Sequence, residues 1–566
     1  MPEIVLPGGV PSAHRDGFAR DMLPPRALWP RMDFSMLPEL RGYPSRINAA
    51  RDLLDRHVAA GRGAHPAIHF EDRVWRYAEL KDRSDRIARV LTEELGLVPG
   101  NRVLLRGPNN PMMAACWFAV LKAGGIVVAT MPLLRARELA FVLEKARISH
   151  ALCDVALADE LEAAKARVPV LRHIAYFSKL GEGGRGEADL DRRMALAREG
   201  FAVVDTAADD TALIAFTSGT TGQPKGTMHF HRDVMAMCDC FPRHVFRGSP
   251  DDIYTGSPPL AFTFGLGAML CFPLHFGAST VLLEKFSPES LLETVQRYRV
   301  TALYTAPTGF RAMTDLVGKY DLASLRKCVS AGETLPLPTF EGWREATGIS
   351  IIDGLGSTEM LHIFVSAAGG AIRPGATGKA IPGYEACVLD DDGQPVPPGT
   401  LGNLAVRGPT GCRYLDNLER QRAYARGGWN YPGDIYLQDE EGYFHYQARA
   451  DDMIISAGYN ISGPEVEAVL LDHPRVKECA VVASPDAERG FVAKAFVVLR
   501  EARDASPATA KALQDFVKGE IAPYKYPRRV EFVDSLPRTE TGKVQRFKLR
   551  QRELERAREA APAKAS

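Results

Sequence analysis

The sequence predicts an α/β protein. A large N-terminal domain of helix-covered, mostly parallel sheets carries a small β-rich layer, and a smaller α+β C-terminal domain follows. Three observations predict this. Apolar runs of strand length alternate with segments of helical spacing, the pattern of parallel strands joined by helical crossovers. At 566 residues the chain exceeds the usual size of one domain. Its texture also changes twice, near residue 385 and again at Arg449-Ala450-Asp451-Asp452.

The elements follow in order. Residues 1–45 are irregular and Pro-rich, with Pro24-Pro25 and Trp29-Pro30, and should wrap the surface of the first domain. Residues 47–60 have helical spacing, and Trp75-Arg76-Tyr77 leads into an amphipathic segment over 78–95. Val103-Leu104-Leu105, the helical stretch 111–123 and the apolar run 125–129 form a βαβ unit. Alternation continues through Ala151 and Val204. It resumes with strands at 279–283 and 301–304 around a helix at 291–298. Residues 181–200, rich in glycine and charge, read as an exposed excursion, and there is no short-period repeat.

From about 385 to 450, Asp390-Asp391-Asp392-Gly393 and Pro397-Pro398-Gly399 supply turns between short strands such as Leu404-Ala405-Val406. The domain boundary is expected there, giving domains 1–450 and 451–566. In the second, helices are expected at 464–472 and 508–520, and strands at 479–482 and 495–499. Glu465 and Glu467 in a first turn suit the helix dipole. The charged, Ala-rich tail after Gln551 reads as a frayed helix.

Lys+Arg and Asp+Glu are both 70, which excludes a nucleic-acid binder or membrane anchor driven by bulk positive charge. The nine cysteines are scattered; only Cys238-x-Cys240 is close, and no second pair completes a zinc site. Reduced thiols and a cytoplasmic location are expected. No leader pattern opens the sequence, and no stretch approaches the ~18 apolar residues of an integral membrane segment.

Chemistry concentrates in five motifs. The first is Thr217-Ser218-Gly219-Thr220-Thr221-Gly222-Gln223-Pro224-Lys225-Gly226, entered from the apolar run Leu213-Ile214-Ala215-Phe216. Three glycines and four hydroxyl residues in ten positions are wrong for core or helix. They suit a loop whose amides and hydroxyls surround an anion, with Lys225 as a point charge, and the natural guest is a polyphosphate. Pro224-Lys225-Gly226 replaces the Gly-Lys-Ser/Thr of a Walker loop, so this is a different phosphate loop.

The second, Gly354-Leu355-Gly356-Ser357-Thr358-Glu359, puts a hydroxyl and a carboxylate behind two glycines at the end of an apolar strand. The place suits a ligand, and taken alone it suits a capped turn equally well. The third is Tyr431-Pro432-Gly433-Asp434, whose aspartate could accept from two vicinal hydroxyls or simply close a turn. The fourth is Arg449-Ala450-Asp451-Asp452 with the following Gly458-Tyr459, and the fifth Pro537-Arg538-Thr539-Glu540-Thr541-Gly542-Lys543. Each of these last two reads in isolation as solvated surface.

Together and in this order, the five motifs resemble the adenylate-forming superfamily of acyl-CoA synthetases, luciferases and peptide-synthetase adenylation domains. The resemblance spans essentially the whole chain. It implies ATP as substrate, with Thr217, Ser218, Gly219, Thr220, Thr221, Gly222, Lys225, Glu333, Gly356, Ser357, Asp434 and Arg449 about the nucleotide. It implies Thr358 at the α-phosphate, Mg2+ on Glu359, and Lys543 as the catalytic lysine of adenylation. Asp451 would be the hinge of a mobile C-terminal domain, and Gly458 and Tyr459 would approach the CoA thiol. The implied partners are a small carboxylate, ATP and CoA, with no nucleic acid; a homodimer is left open.

Matched position by position, the acyl pocket would hold Phe262, Phe264, Ala331, Gly332, Gly354 and His362, with Phe230 and His231 nearby. Two phenylalanines among glycines suggest a flat apolar slot. Leu355 departs from the tyrosine that many members stack on adenine. The run from Gly354 to Phe364 and Ser330-Ala331-Gly332-Glu333-Thr334-Leu335-Pro336 resemble benzoate-CoA ligases. Phe18-Ala19-Arg20-Asp21-Met22-Leu23-Pro24-Pro25 resembles 2-aminobenzoate-CoA ligases. The implied reaction makes an aryl-adenylate and then an aryl-CoA. Rival readings are another small or medium-chain acid, loading of a carrier protein's phosphopantetheine, and a nucleotide-binding protein without turnover.

Overall fold

The computed structural model describes residues 10–183, 188–217, 224–450, 452–456, 459–486, 489–521, 523–538, 542 and 544–560. Its architecture is mixed α/β. One sheet runs in the order His173–Phe177, His150–Asp154, Arg102–Arg106, Ile126–Thr130, Thr211–Thr217, Lys225–Phe230, all parallel except the last strand. A second has the parallel strands Pro66–Phe70, Ser279–Val281, Ile253–Gly256, Ala302–Thr305, Lys327–Ala331 and Ile351–Gly356 in spatial order. Antiparallel strands lie at its edges.

The helix Pro111–Lys122 is buried over its whole length, as expected of a helix that is apolar on every face. Pro111 takes the first position, where its missing N–H costs nothing, and the Asn110 side chain caps the Met113 N–H. One continuous core joins this helix to residues of both sheets, including Leu105, Leu213, Tyr304 and Ile363.

A third, antiparallel sheet occupies the expected β-rich stretch, from Glu385–Leu389 to Phe444–Arg449. The following strand, Ile454–Ser456, belongs to a fourth sheet with Tyr459–Ile461, Val476–Asp486, Gly490–Leu499 and Arg529–Phe532.

Three expectations are corrected. Val204 lies in no strand; its N–H is held by the Lys122 carbonyl and its own carbonyl accepts from the Asn48 side chain and the Thr206 N–H. The stretch 181–200 is not an excursion throughout. It contains the helix Asp189–Leu196, which buries Leu190 and Met194, while the Asp191 carboxylate accepts from the Ser178 and Gly183 amides. The charge read as solvated is used to close turns. The tail is the helix Arg546–Ala560, anchored by Leu549 and by buried Glu553, which Lys494 and Ser484 both reach at 2.7 Å.

All nine cysteines are free. Among the described residues no helix is long and apolar enough to cross a membrane.

Candidate active site

The phosphate-loop motif sits on a hairpin. Thr211–Thr217 and Lys225–Phe230 pair so that Thr217 and Lys225 are directly opposed, closing the base of the loop. Of its predicted residues, Ser218, Gly219, Thr220, Thr221 and Gly222 lie outside the described residues. So do Asp451, Gly458 and Lys543, together with the Tyr459 side chain.

The second motif leaves the carboxyl end of the parallel strand Ile351–Gly356, beside the end of Lys327–Ala331. In this register Ala331 stands next to Gly354. That brings Gly332 and Glu333 to the same edge, where ligands of open parallel sheets bind. The chain then turns tightly: Met360 N–H meets the Ser357 carbonyl at 3.2 Å, and Leu361 N–H the Thr358 carbonyl at 3.1 Å. Leu361 is fully buried at φ 72°, a strained conformation for a bulky residue, and it redirects the chain from Glu359 to His362.

Three side chains that sequence reasoning missed hold three consecutive residues here. The Tyr424 hydroxyl lies 3.2 Å from Ser357 Oγ. His229 Nε2 lies 2.8 Å from the Thr358 carbonyl oxygen, and the Tyr414 hydroxyl donates to Glu359 Oε1 at 2.6 Å. Burial pushes His229 down to about 4, against the pull of Asp233, so its ring stays neutral at ordinary pH. Burial, reinforced by the Glu359 charge, also raises Tyr414, which keeps its proton. Behind them Arg413 is wholly buried, paired with Asp233 at 2.7 Å, and its guanidinium carbon lies 4.0 Å over the Phe230 ring.

The third and fourth motifs meet across two strands. Asp434 and Arg449 are register partners, and Arg449 Nη1 donates to Asp434 Oδ1 at 3.0 Å and to the Pro432 carbonyl at 2.9 Å. Gly433 is at φ 84°, and a side chain there would press on the same guanidinium.

Parts of the second, third and fourth motifs face one cleft of ≈ 690 Å³, with Gly332, Glu333, Gly354, Gly356, Ser357, Asp434 and Arg449 on one wall. The other wall carries Glu467, Arg538 and Arg546. Asp353 also faces the cleft; burial pushes its carboxyl up to about 7, and Oδ1 has no partner among the described residues. A carboxylate directly ahead of Gly354 was its only sequence signal.

The acyl-pocket residues fall into two groups. His362 is buried, with the rings of Phe272, Phe264 and Phe241 at 4.5, 5.8 and 5.9 Å. Burial pushes it down to about 3. Its nitrogens make no well-formed hydrogen bond among the described residues, although the Phe264 backbone lies alongside. Phe262 and Phe264 are half-buried, Ala331 is buried, and Tyr304 lies 6.1 Å from Phe264.

Phe230 and His231 are a correction. The Phe230 ring is committed to Arg413 and Trp29, and His231 Nδ1 accepts the Ala49 N–H at 3.2 Å. Phe230 ends its strand and His231 opens the helix His231–Asp239, and both are buried as internal packing.

For Mg2+, no group of three or more His, Cys, Asp or Glu among the described residues could enclose an ion. Mg2+ is commonly held by one or two carboxylates, with phosphate oxygens and water completing its shell. Glu359 fits that donor set, with one oxygen engaged by Tyr414 and the other free of hydrogen bonds among the described residues.

Comparison with known proteins identifies the family. Residues 55–414 match the model of the AMP-binding enzyme family, and residues 465–543 that of the AMP-binding enzyme C-terminal domain. A benzoate--CoA ligase of Thauera aromatica is 36% identical over 524 residues, 92% of this chain and 98% of that protein. The crystal structure of the anthranilate CoA ligase AuaEII in complex with anthranoyl-AMP superposes with a TM-score of 0.86 at 34% identity. The match covers 92% of this chain and 99% of the other. A benzoate CoA ligase from Burkholderia xenovorans LB400 superposes at 0.81 with 32% identity, covering 89% and 99%.

Proposed function

Because the chain belongs to the AMP-binding enzyme family, we propose that it activates an aromatic carboxylic acid of the benzoate or 2-aminobenzoate type. In this reading the acid becomes an acyl-adenylate and is then transferred to CoA. The observation that carries the reading is the meeting, on one cleft wall, of Glu333, Gly354–Ser357, Asp434 and Arg449, residues drawn from two sheets and far apart in the chain.

The chemistry is a displacement. The substrate carboxylate attacks the α-phosphorus of ATP and pyrophosphate leaves. Both reactants are anionic, so cations and aligned donors matter more than a base. Lys225 and the loop that it closes take the leaving phosphates. Thr358 donates to the α-phosphate, and Asp434 accepts from the ribose hydroxyls while Arg449 holds its carboxylate in place. Glu359 would hold Mg2+, which supplies charge neutralisation on the phosphates. Lys543 holds the attacking and α-phosphate oxygens together, a proximity effect. In the second half-reaction the CoA thiolate attacks the acyl carbon and AMP departs. Asp451 serves as the hinge about which residues 451–566 turn to present Gly458 and Tyr459.

An aromatic acid is favoured by the ring-lined group of Phe264, His362, Phe241 and Phe272 immediately after Glu359 in the fold. The buried hydroxyls of Tyr254, Tyr304 and Ser330 have no partner among the described residues. In a ring-lined setting they suit a substrate with a polar ring substituent. The relatives' named activities on benzoate and anthranilate point the same way.

The test is a panel of benzoate, 2-aminobenzoate, hydroxybenzoates, phenylacetate, butyrate, hexanoate and octanoate with ATP, Mg2+ and CoA, reading pyrophosphate and thioester together. Thioester formed fastest from benzoate or 2-aminobenzoate is the expected result. A preference for chain acids overturns the aromatic slot, and pyrophosphate without thioester moves the acceptor to a carrier protein.

A further inference from the structure

We infer that Tyr414 is a positioning residue for the metal-bearing carboxylate, and that it acts with His229 and Tyr424 as a three-point clamp on Ser357-Thr358-Glu359. The inference rests on the functional reading above and goes beyond it, since it assigns roles to residues in none of the five motifs.

The clamp has three contacts, one per residue. Tyr424 meets the Ser357 hydroxyl at 3.2 Å, His229 the Thr358 carbonyl at 2.8 Å, and Tyr414 the Glu359 carboxylate at 2.6 Å. All three clamping side chains are buried, at 3%, 0% and 1% exposure, whereas Ser357, Thr358 and Glu359 are only half-buried. A short, half-exposed turn is therefore fastened from behind by buried groups.

The clamping residues are themselves fixed. Tyr414 pairs through its backbone with Thr227, two residues beyond Lys225, and its N–H donates to the Gln421 side chain at 2.9 Å. The Tyr414 and Tyr424 rings meet edge to face at 5.8 Å. His229 stands on the strand Lys225–Phe230 itself, at 0% exposure. The phosphate-loop hairpin and the Glu359 turn are thus two ends of one rigid assembly. Glu359, the residue that would hold the metal, is thereby fixed relative to the strand that carries Lys225.

Tyr414 carries the orienting role for a chemical reason. A glutamate carboxylate rotates about three side-chain bonds. A buried phenol donating to Oε1 stops that rotation and leaves Oε2 for the metal. A hydrogen bond to a charged acceptor is strong enough to set a rotamer.

The test uses the full-length protein and Mn2+ as the metal probe, read by electron paramagnetic resonance in the presence of the non-cleavable analogue α,β-methylene-ATP. Tyr414→Phe keeps the ring and deletes the donor. Mn2+ affinity should fall roughly tenfold or more, and pyrophosphate release should show the same rise in the metal concentration needed for half-maximal rate.

Tyr43→Phe is the matched control. It deletes another phenol-to-carboxylate bond of 2.6 Å, to Asp239, outside the assembly. It should lower the melting temperature by a similar amount and leave Mn2+ binding unchanged. In a Glu359→Gln background, Tyr414→Phe should add no further loss. An undiminished effect of Tyr414→Phe in that background, or full Mn2+ affinity in the single variant, overturns the positioning role. Wild-type protein that binds no Mn2+ with the nucleotide overturns the functional reading as well.

Discussion

Asp434 and Arg449 face each other as register partners on adjacent antiparallel strands, with 3.0 Å between carboxylate oxygen and guanidinium nitrogen. The two stand fifteen residues apart in the chain, one in each of two motifs that look like ordinary surface when read singly. In the fold they form one unit on the cleft wall, the arginine fixing the carboxylate in which direct ribose contact is proposed.

Asp434→Ala should therefore raise the KM for ATP by roughly 10- to 100-fold, the loss of one or two hydrogen bonds to a charged acceptor. The KM for the acid should change little. Initial rates at varied ATP and at varied acid separate the two; an unaltered ATP KM would remove Asp434 from the ribose site.

Lys543→Ala should lower acid-dependent pyrophosphate release by at least about two orders of magnitude if, as proposed, its charge joins two anionic reactants. Thioester formation from supplied acyl-AMP should persist. Equal loss in both half-reactions would contradict a role confined to adenylation.

Asp353 gives a pH signature. Its folded value is pushed up to about 7 by burial, above an ordinary carboxyl value of 3.8. The unfolded chain therefore releases this proton first as pH rises. The stability present below pH 3.8 declines progressively and is fully lost once pH passes about 7. Asp353→Asn, which cannot ionise, should raise the melting temperature relative to wild type at pH 8 and not at pH 4. Parallel thermal melts at the two pH values test this, and equal differences at both would refute the shift.

Gly267 packs against His362, in the wall of the proposed slot. A Cβ there would stand 2.6 Å from His362 Nε2, inside contact distance. Gly267→Ala should displace the imidazole toward Phe264 and reduce kcat/KM for the acid by roughly tenfold or more, about 1.4 kcal/mol, with the ATP KM preserved. A selective change in acid kinetics supports His362 as part of the slot wall; unchanged acid kinetics would place it in the packing behind.

How much was legible beforehand differs element by element. The βαβ order from Arg102–Arg106 through Pro111–Lys122 to Ile126–Thr130 was readable, because apolar runs and capping residues are local signals. The apolar strand leading into the phosphate loop and the one leading to Gly354 followed from the same kind of evidence, whereas the return strand Lys225–Phe230 and the strand Lys327–Ala331 ahead of Gly332 emerged only in the fold. Residues 189–196 were misread because charged side chains that close turns look the same in sequence as charged side chains in water.

By itself the sequence determined the α/β class, the order of the five motifs and the family to which they belong, since each motif is a short stretch whose composition carries its own meaning. Tertiary structure alone decided which residues serve the site from outside the motifs. Tyr414 stands 55 positions from Glu359 and His229 129 positions from Thr358, so no periodicity or spacing links them. Tertiary structure also turned Phe230 and His231 away from the acid slot, toward Arg413 and Ala49. A side chain's partner depends on which layer packs against its face of the strand, and that is fixed only when distant segments close over one another and every buried donor has to find an acceptor.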